Sequence, residues 1–145
     1  MTATLIPPRT SLSGLVTALA RVTRRRDHRA GLLAELETAR LVPAVVVPGI
    51  QHQAAEAIVR VGLPAVEHRR RMVQRRIDEH LFLDVDGRAG VRVLACWDEQ
   101  AHRVRMHVAE TGEPGLWDRI VVRFTEWERD GRPVPGADEA RGAGS

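Results

Sequence analysis

The stretch Pro64–His80, PAVEHRRRMVQRRIDEH, decides how the middle of this chain is read. Pro64 suits the first turn of a helix, where its missing N–H costs nothing. Val66, Val73 and Ile77 fall together at helical spacing, with Met72 flanking them. That periodicity predicts a helix reaching about His80. On such a helix Arg71 and Arg75 point opposite the apolar stripe, while Arg69, Arg70 and Arg76 flank it. Guanidinium groups grip phosphate and carboxylate bidentately, so Arg69, Arg70, Arg71, Arg75 and Arg76 form a candidate face for nucleic acid or an acidic partner. The competing reading is a solvated helix face, in which Glu67–Arg71 and Arg75–Glu79 are ordinary i, i+4 pairs.

Downstream, the pattern changes from helical to alternating. Leu81–Val85 and Val91–Trp97 read as strands joined around the turn dipeptide Asp86–Gly87. In the next strand His102, Val104, Met106 and Val108 alternate with Arg103, Arg105 and His107, which means one wet face and an antiparallel meander. Trp117, Ile120, Val121, Phe124 and Trp127 then mark an amphipathic closing helix, ended by Gly131 and Pro133.

Upstream, Leu12, Leu15, Val16, Leu19 and Val22 predict a first helix ending at Arg24–Arg26. Asp27–His28 reads as a break, followed by a second helix from about Arg29 to Leu41. Pro43 and Pro48 bracket an apolar connection or short edge strand, Ala44–Val47. A third helix runs from Gly49 to about Val61. The expected fold is therefore α+β: four N-terminal helices, a three-stranded antiparallel meander and a C-terminal amphipathic helix. Residues 1–10 are expected to be a flexible arm, 11–131 one domain, and the Gly/Pro/Ala-rich 132–145 a disordered tail.

Composition narrows the class. All 22 basic residues are Arg, a pattern that follows from GC-rich codon usage, and the net charge is only +3. With neither Lys nor Tyr, almost nothing titrates between neutrality and arginine, so the pI near 10.7 overstates basicity. One Cys, Cys96, excludes an internal disulfide and fits a reducing cytosol. The N-terminal MTATLIPPRTS lacks the features of a signal peptide, and no apolar run is long enough to span a membrane.

Residues that could carry chemistry are few. The six His show no tight metal-ligand spacing, and Cys96 has no second thiol nearby, so no metal or cofactor is expected. Cys96 and His107 could be drawn as a nucleophile dyad, but a buried inert thiol is the commoner outcome for a central strand. Asp84, Asp86, Asp98 and Glu99 sit at strand ends and turns, where acids serve the backbone. Glu110-Thr-Gly-Glu-Pro-Gly115 reads as a strand-to-helix turn.

At Val45–Pro64, VVVPGIQHQAAEAIVRVGLP, the chain resembles the effector domain behind the helix-turn-helix of actinobacterial XRE-type, antitoxin-like regulators. Val47, Pro48, Gly49, Ile50, Ala57 and Gly62 fit its layout, and His107–Glu113 with the helix at 116–130 resembles its late strand and closing helix. His52 and Glu56 depart from the pattern, and the middle of the usual domain is missing. The resemblance implies transcriptional or antitoxin-like regulation through a binding partner, expected to be a protein, and the single Cys places the chain in the cytoplasm. The function expected is a non-enzymatic regulatory or interaction protein, antitoxin-like or transcription-associated. DNA and a second copy of the chain are further candidate partners. A winged-helix DNA binder, with Asp86–Gly90 as the wing, and a small enzyme or accessory subunit are the alternatives.

Overall fold

A computed structural model describes residues 12–133 of the chain. The expected arm, and the tail beyond Pro133, lie outside the described residues. The elements are α1 (Leu12–Thr38), β1 (Val42–Ala44), a 3-10 turn (Pro48–Gln51), α2 (Ala55–Gly62), β2 (Glu67–Gln74), β3 (Ile77–Asp84), β4 (Ala89–Asp98), β5 (Arg103–Gly112) and α3 (Leu116–Arg129). The strands form one antiparallel sheet in the order β1-β5-β4-β3-β2.

The α+β class is as expected, but four N-terminal helices and a three-stranded meander are not what forms. The largest correction is at Pro64–His80, which is a β-hairpin instead of a helix. Val66, Val73 and Ile77 would have given a helix only three apolar anchors. As strands, the same residues set Arg70 against His80 and Arg71 against Glu79, and extend β3 into the buried Phe82 and Leu83. The turn conceals itself because it lacks Gly, Asn and Pro. Its left-handed position is taken by Arg76, at φ 70°, a conformation that non-glycine residues seldom adopt. A register shift between Met72 and Gln74 accommodates the turn.

The second correction is α1, one helix of 27 residues where two were expected. Asp27 and His28 continue it, since neither residue breaks a helix as Pro would. Only its C-terminal half packs: Leu32 and Leu36 meet Leu83 and Val85 on one side of the sheet. The N-terminal stripe read as inward-facing is exposed, with Leu12 80% and Leu19 66% accessible. The helix simply runs past the sheet. The third predicted helix divides into the 3-10 turn at Pro48 and the two-turn α2. The short edge strand sits two residues earlier than expected, pairing with β5 at Val42↔Val108 and Ala44↔Met106.

The main core lies on the other side of the sheet. Phe82, Val91, Val93, Met106 and Val108 meet Ile50, Ile58 and Val59, and Ile120, Phe124 and Trp127 of α3 close over them. The predicted alternation in β5 and the spacing of α3 both hold. Trp127 is 4% exposed, and its Nε1–H donates to the carbonyl of Pro133 at 2.9 Å. The first residues of the expected tail are therefore held in place. Gly49 allows the 3-10 turn to touch α3, because a Cβ there would lie 2.7 Å from Phe124 Cδ1. The winged-helix reading takes the expected second and third helices as its helix-turn-helix; the second is instead the end of α1, and β1 and the 3-10 turn separate it from α2.

Candidate interaction face

The hairpin separates the five arginines. Pairing places Arg69 opposite Leu81 and Arg71 opposite Glu79, on the side of the sheet where α1 packs. Arg70, opposite His80, faces the main core side, where it donates to Asp78 at 2.6 Å and reaches the Gln51 carbonyl at 3.4 Å. Arg75 sits in the turn, and Arg76 pairs with Glu99. Thus only Arg69 and Arg71 share a face. Arg69 and Arg75 have no ion pair among the described residues, whereas Arg70, Arg71 and Arg76 do. The expected i, i+4 pairs are replaced by cross-strand ones, and Glu67 goes to Arg25 and Arg29 of α1.

The same pairing supplies what the sequence had left apart. Reading across the rows, Arg71–Glu79–Leu94–His107 and Ile77–Cys96–Arg105 lie on one side of the sheet, as does Arg103 opposite Asp98. Arg69 and Arg71 on β2 therefore share a face with Arg103 and Arg105 on β5. Three strand spacings, roughly 14 Å, separate the two groups across the sheet, and along β5 Arg105 lies about two residues, roughly 7 Å, beyond the row of Arg71, while Arg103 lies about six residues, roughly 20 Å, beyond the row of Arg69. Leu32 and Leu36 of α1 cover the end of this face nearest the β3–β4 turn, leaving the end toward Arg76 and Arg103 open. Two of its acids, Glu79 and Asp98, are already engaged, and Glu37 of α1 lies beside Arg71. Glu79 is 1% exposed and receives Arg71 Nε at 2.6 Å and Arg92 Nε at 2.9 Å. Burial alone pushes its carboxyl upward, but the hydrogen bonds from Arg71 and Arg92 outweigh this and hold it below the usual range. The Glu79 carboxylate in turn raises Arg71. Asp98 holds Arg105 at 2.8 Å and accepts the backbone N–H groups of Gln100 and Ala101.

The catalytic alternatives gain little from this geometry. Cys96 is half-buried beside Leu94 and Arg105, on the open side of β4 rather than in the core. Burial pushes its thiol up, away from the reactive thiolate. His107 sits diagonally from it, with no hydrogen bond joining the two. Asp84 is bound by Arg119 at 2.9 Å and by the Gly87 N–H, so it fastens α3 and the β3–β4 turn. Glu110 accepts the Trp117 N–H at 3.2 Å, which makes the Glu110–Gly115 segment the entrance to α3, as read from the sequence.

One constellation escaped the sequence altogether. His68 and His80, twelve apart, meet across the hairpin with Nε2 and Nδ1 separated by 3.1 Å, and their rings stack within 5° of parallel. His68 also stacks on Phe82. His80 is wholly buried, and its Nε2 has no partner among the described residues. Burial, then the neighbouring His68 and Arg70, lower it to about 4, against a smaller opposing effect of Asp78. Among the described residues no third His, Cys, Asp or Glu joins them in a group that could hold a metal ion. No described helix is long and apolar enough to cross a membrane. Compared with family models, curated proteins and solved structures, the chain matches none.

Proposed function

We propose that this protein is a non-enzymatic interaction protein that engages an acidic protein partner on the open face of its sheet. The observation that carries the reading is the shared face of Arg69, Arg71, Arg103 and Arg105, with Arg69 and Arg103 unpaired among the described residues. A strand-built surface with guanidinium groups toward both sides suits recognition of a carboxylate-rich surface, because arginine binds carboxylates bidentately. Chemistry would instead call for an activated nucleophile, whereas burial pushes the Cys96 thiol up. The regulatory, antitoxin-like setting rests on the resemblance at Val45–Pro64, whose Pro48-Gly49-Ile50 turn and following helix build the opposite side of the sheet.

The test is charge reversal at the two unpaired positions, Arg69→Glu with Arg103→Glu. Cross-linking in the native host, followed by mass spectrometry, should yield an acidic protein captured by the parent and lost with the double variant, while circular dichroism stays unchanged. Retention of the same protein by the variant would refute the reading. A gel shift with duplex DNA at two salt concentrations provides the other arm. Tight, salt-dependent binding lost in the variant would replace the acidic protein with nucleic acid as the ligand.

A further inference from the structure

A second basic site lies elsewhere, where α1 passes the β3–β4 turn. A cleft of about 400 Å³ there is lined by Arg21, Arg24, Arg25 and His28 from the helix and by Asp86 and Arg88 from the turn, with Val22 and Val85 as apolar walls. Four guanidinium groups thus face one carboxylate. Arg25 alone is neutralised, by Asp86 at 2.6 Å, with Glu67 at 3.9 Å. Arg21, Arg24 and Arg88 have no ion pair among the described residues. Mutual repulsion among like charges disfavours such a grouping unless an anion offsets it.

The turn adds an independent observation. Arg88 adopts a left-handed conformation, φ 54°, at a position where Gly or Asn would be unstrained. Its carbonyl accepts the Glu113 N–H at 2.9 Å, and its own N–H donates to the Val85 carbonyl at 3.2 Å. The backbone is therefore locked with an arginine in a strained position, its side chain contributing to the cleft wall. Strain of this kind is characteristic of ligand clamps.

We infer that this cleft binds a phosphate group, held by Arg21, Arg24 and Arg88, with Arg25 released from Asp86 to join them. A tetrahedral dianion offers several oxygens in different directions, which matches forks arriving from a helix on one side and a turn on the other. A soluble phosphorylated compound and a lipid headgroup share this chemistry, and the experiment separates them.

Isothermal titration of the full chain with inorganic pyrophosphate, at constant ionic strength, is the first arm. Sedimentation with phosphatidic-acid vesicles, against neutral vesicles, is the second. Saturable binding is expected in at least one arm. Arg24→Gln and Arg88→Gly should each weaken it by at least about tenfold, the loss expected for a hydrogen bond to a charged group. Arg88→Gly also relieves the turn, so weaker binding by that variant cannot be attributed to unfolding. Asp86→Asn should tighten binding by freeing Arg25. The Arg69→Glu/Arg103→Glu protein should bind like the parent, which keeps this site distinct from the sheet face. Binding confined to vesicles and lost in the variants identifies a lipid phosphate. No saturable binding in either arm, or equal binding by the variants, overturns the inference.

Discussion

Lowering the pH from 7 to 5 should destabilise this protein through His80. The imidazole is fully buried on β3, stacked with His68, and its Nε2 has no partner among the described residues. It stays neutral in the fold down to about pH 4, against an ordinary value of 6.5. The unfolded chain therefore binds a proton that the folded chain refuses. Stability from this group is fully present above pH 6.5 and is lost as the pH falls toward 4. At pH 5 the deficit is about 1.5 pH units at 1.36 kcal/mol each, or about 2 kcal/mol. For a domain of this size that corresponds to roughly 5–10 °C in thermal midpoint. His68, also lowered, chiefly by burial, adds loss in the same direction. Glu79 and Asp84 are held below the ordinary carboxylate range and act at lower pH, so the interval from 7 to 5 isolates the histidines. Urea denaturation of the parent and of His80→Gln at pH 7, 6 and 5 measures the effect. The variant should lose less than half as much stability as the parent over that range. A parent equally stable at pH 7 and 5 would refute the buried neutral imidazole, as would a variant with the parent's pH dependence.

Trp127→Ala should cost about 3–5 kcal/mol, because the buried indole closes the main core over α3; the half-buried Trp117 should cost less, and chemical denaturation of both variants ranks them. Gly49→Ala should cost about 1–3 kcal/mol by forcing a methyl against Phe124 and Trp127, and an unchanged midpoint would show that the turn can move away. Leu15→Glu with Leu19→Glu should leave the thermal midpoint within about 1 °C, since both side chains are exposed; a larger drop would mean that another surface covers the stripe.

Local patterning in the chain was enough for elements whose period, boundaries and burial agree. The i, i+3, i+4, i+7 spacing from Trp117 to Trp127 specifies α3, and the alternation of Val104, Met106 and Val108 with arginines specifies β5 and its wet face. The Gly-Pro-bounded end of α3 and the Asp86–Gly87 turn were legible for the same reason. Pro64–His80 had to be settled by tertiary structure. Val66, Val73 and Ile77 satisfy a helical period, while the β2–β3 hairpin is held along β3 by β4, whose residues no local window contains. Arg75–Arg76 also supplies a turn without any turn residue to announce it. The break expected at Asp27–His28 failed because charge does not end a helix. The arginine face was only half legible: composition placed five arginines close in sequence, but alternation in β2 sent Arg70 to the opposite side. Sheet register then brought in Arg103 and Arg105, more than thirty residues away, and made the His68–His80 pair, while the cleft at Arg88 comes from α1 passing the β3–β4 turn. Sequence spacing determines which side chains share one element. Which elements share a face depends on long-range pairing, because that pairing buries the apolar side of the sheet and leaves the charged side wherever the register puts it.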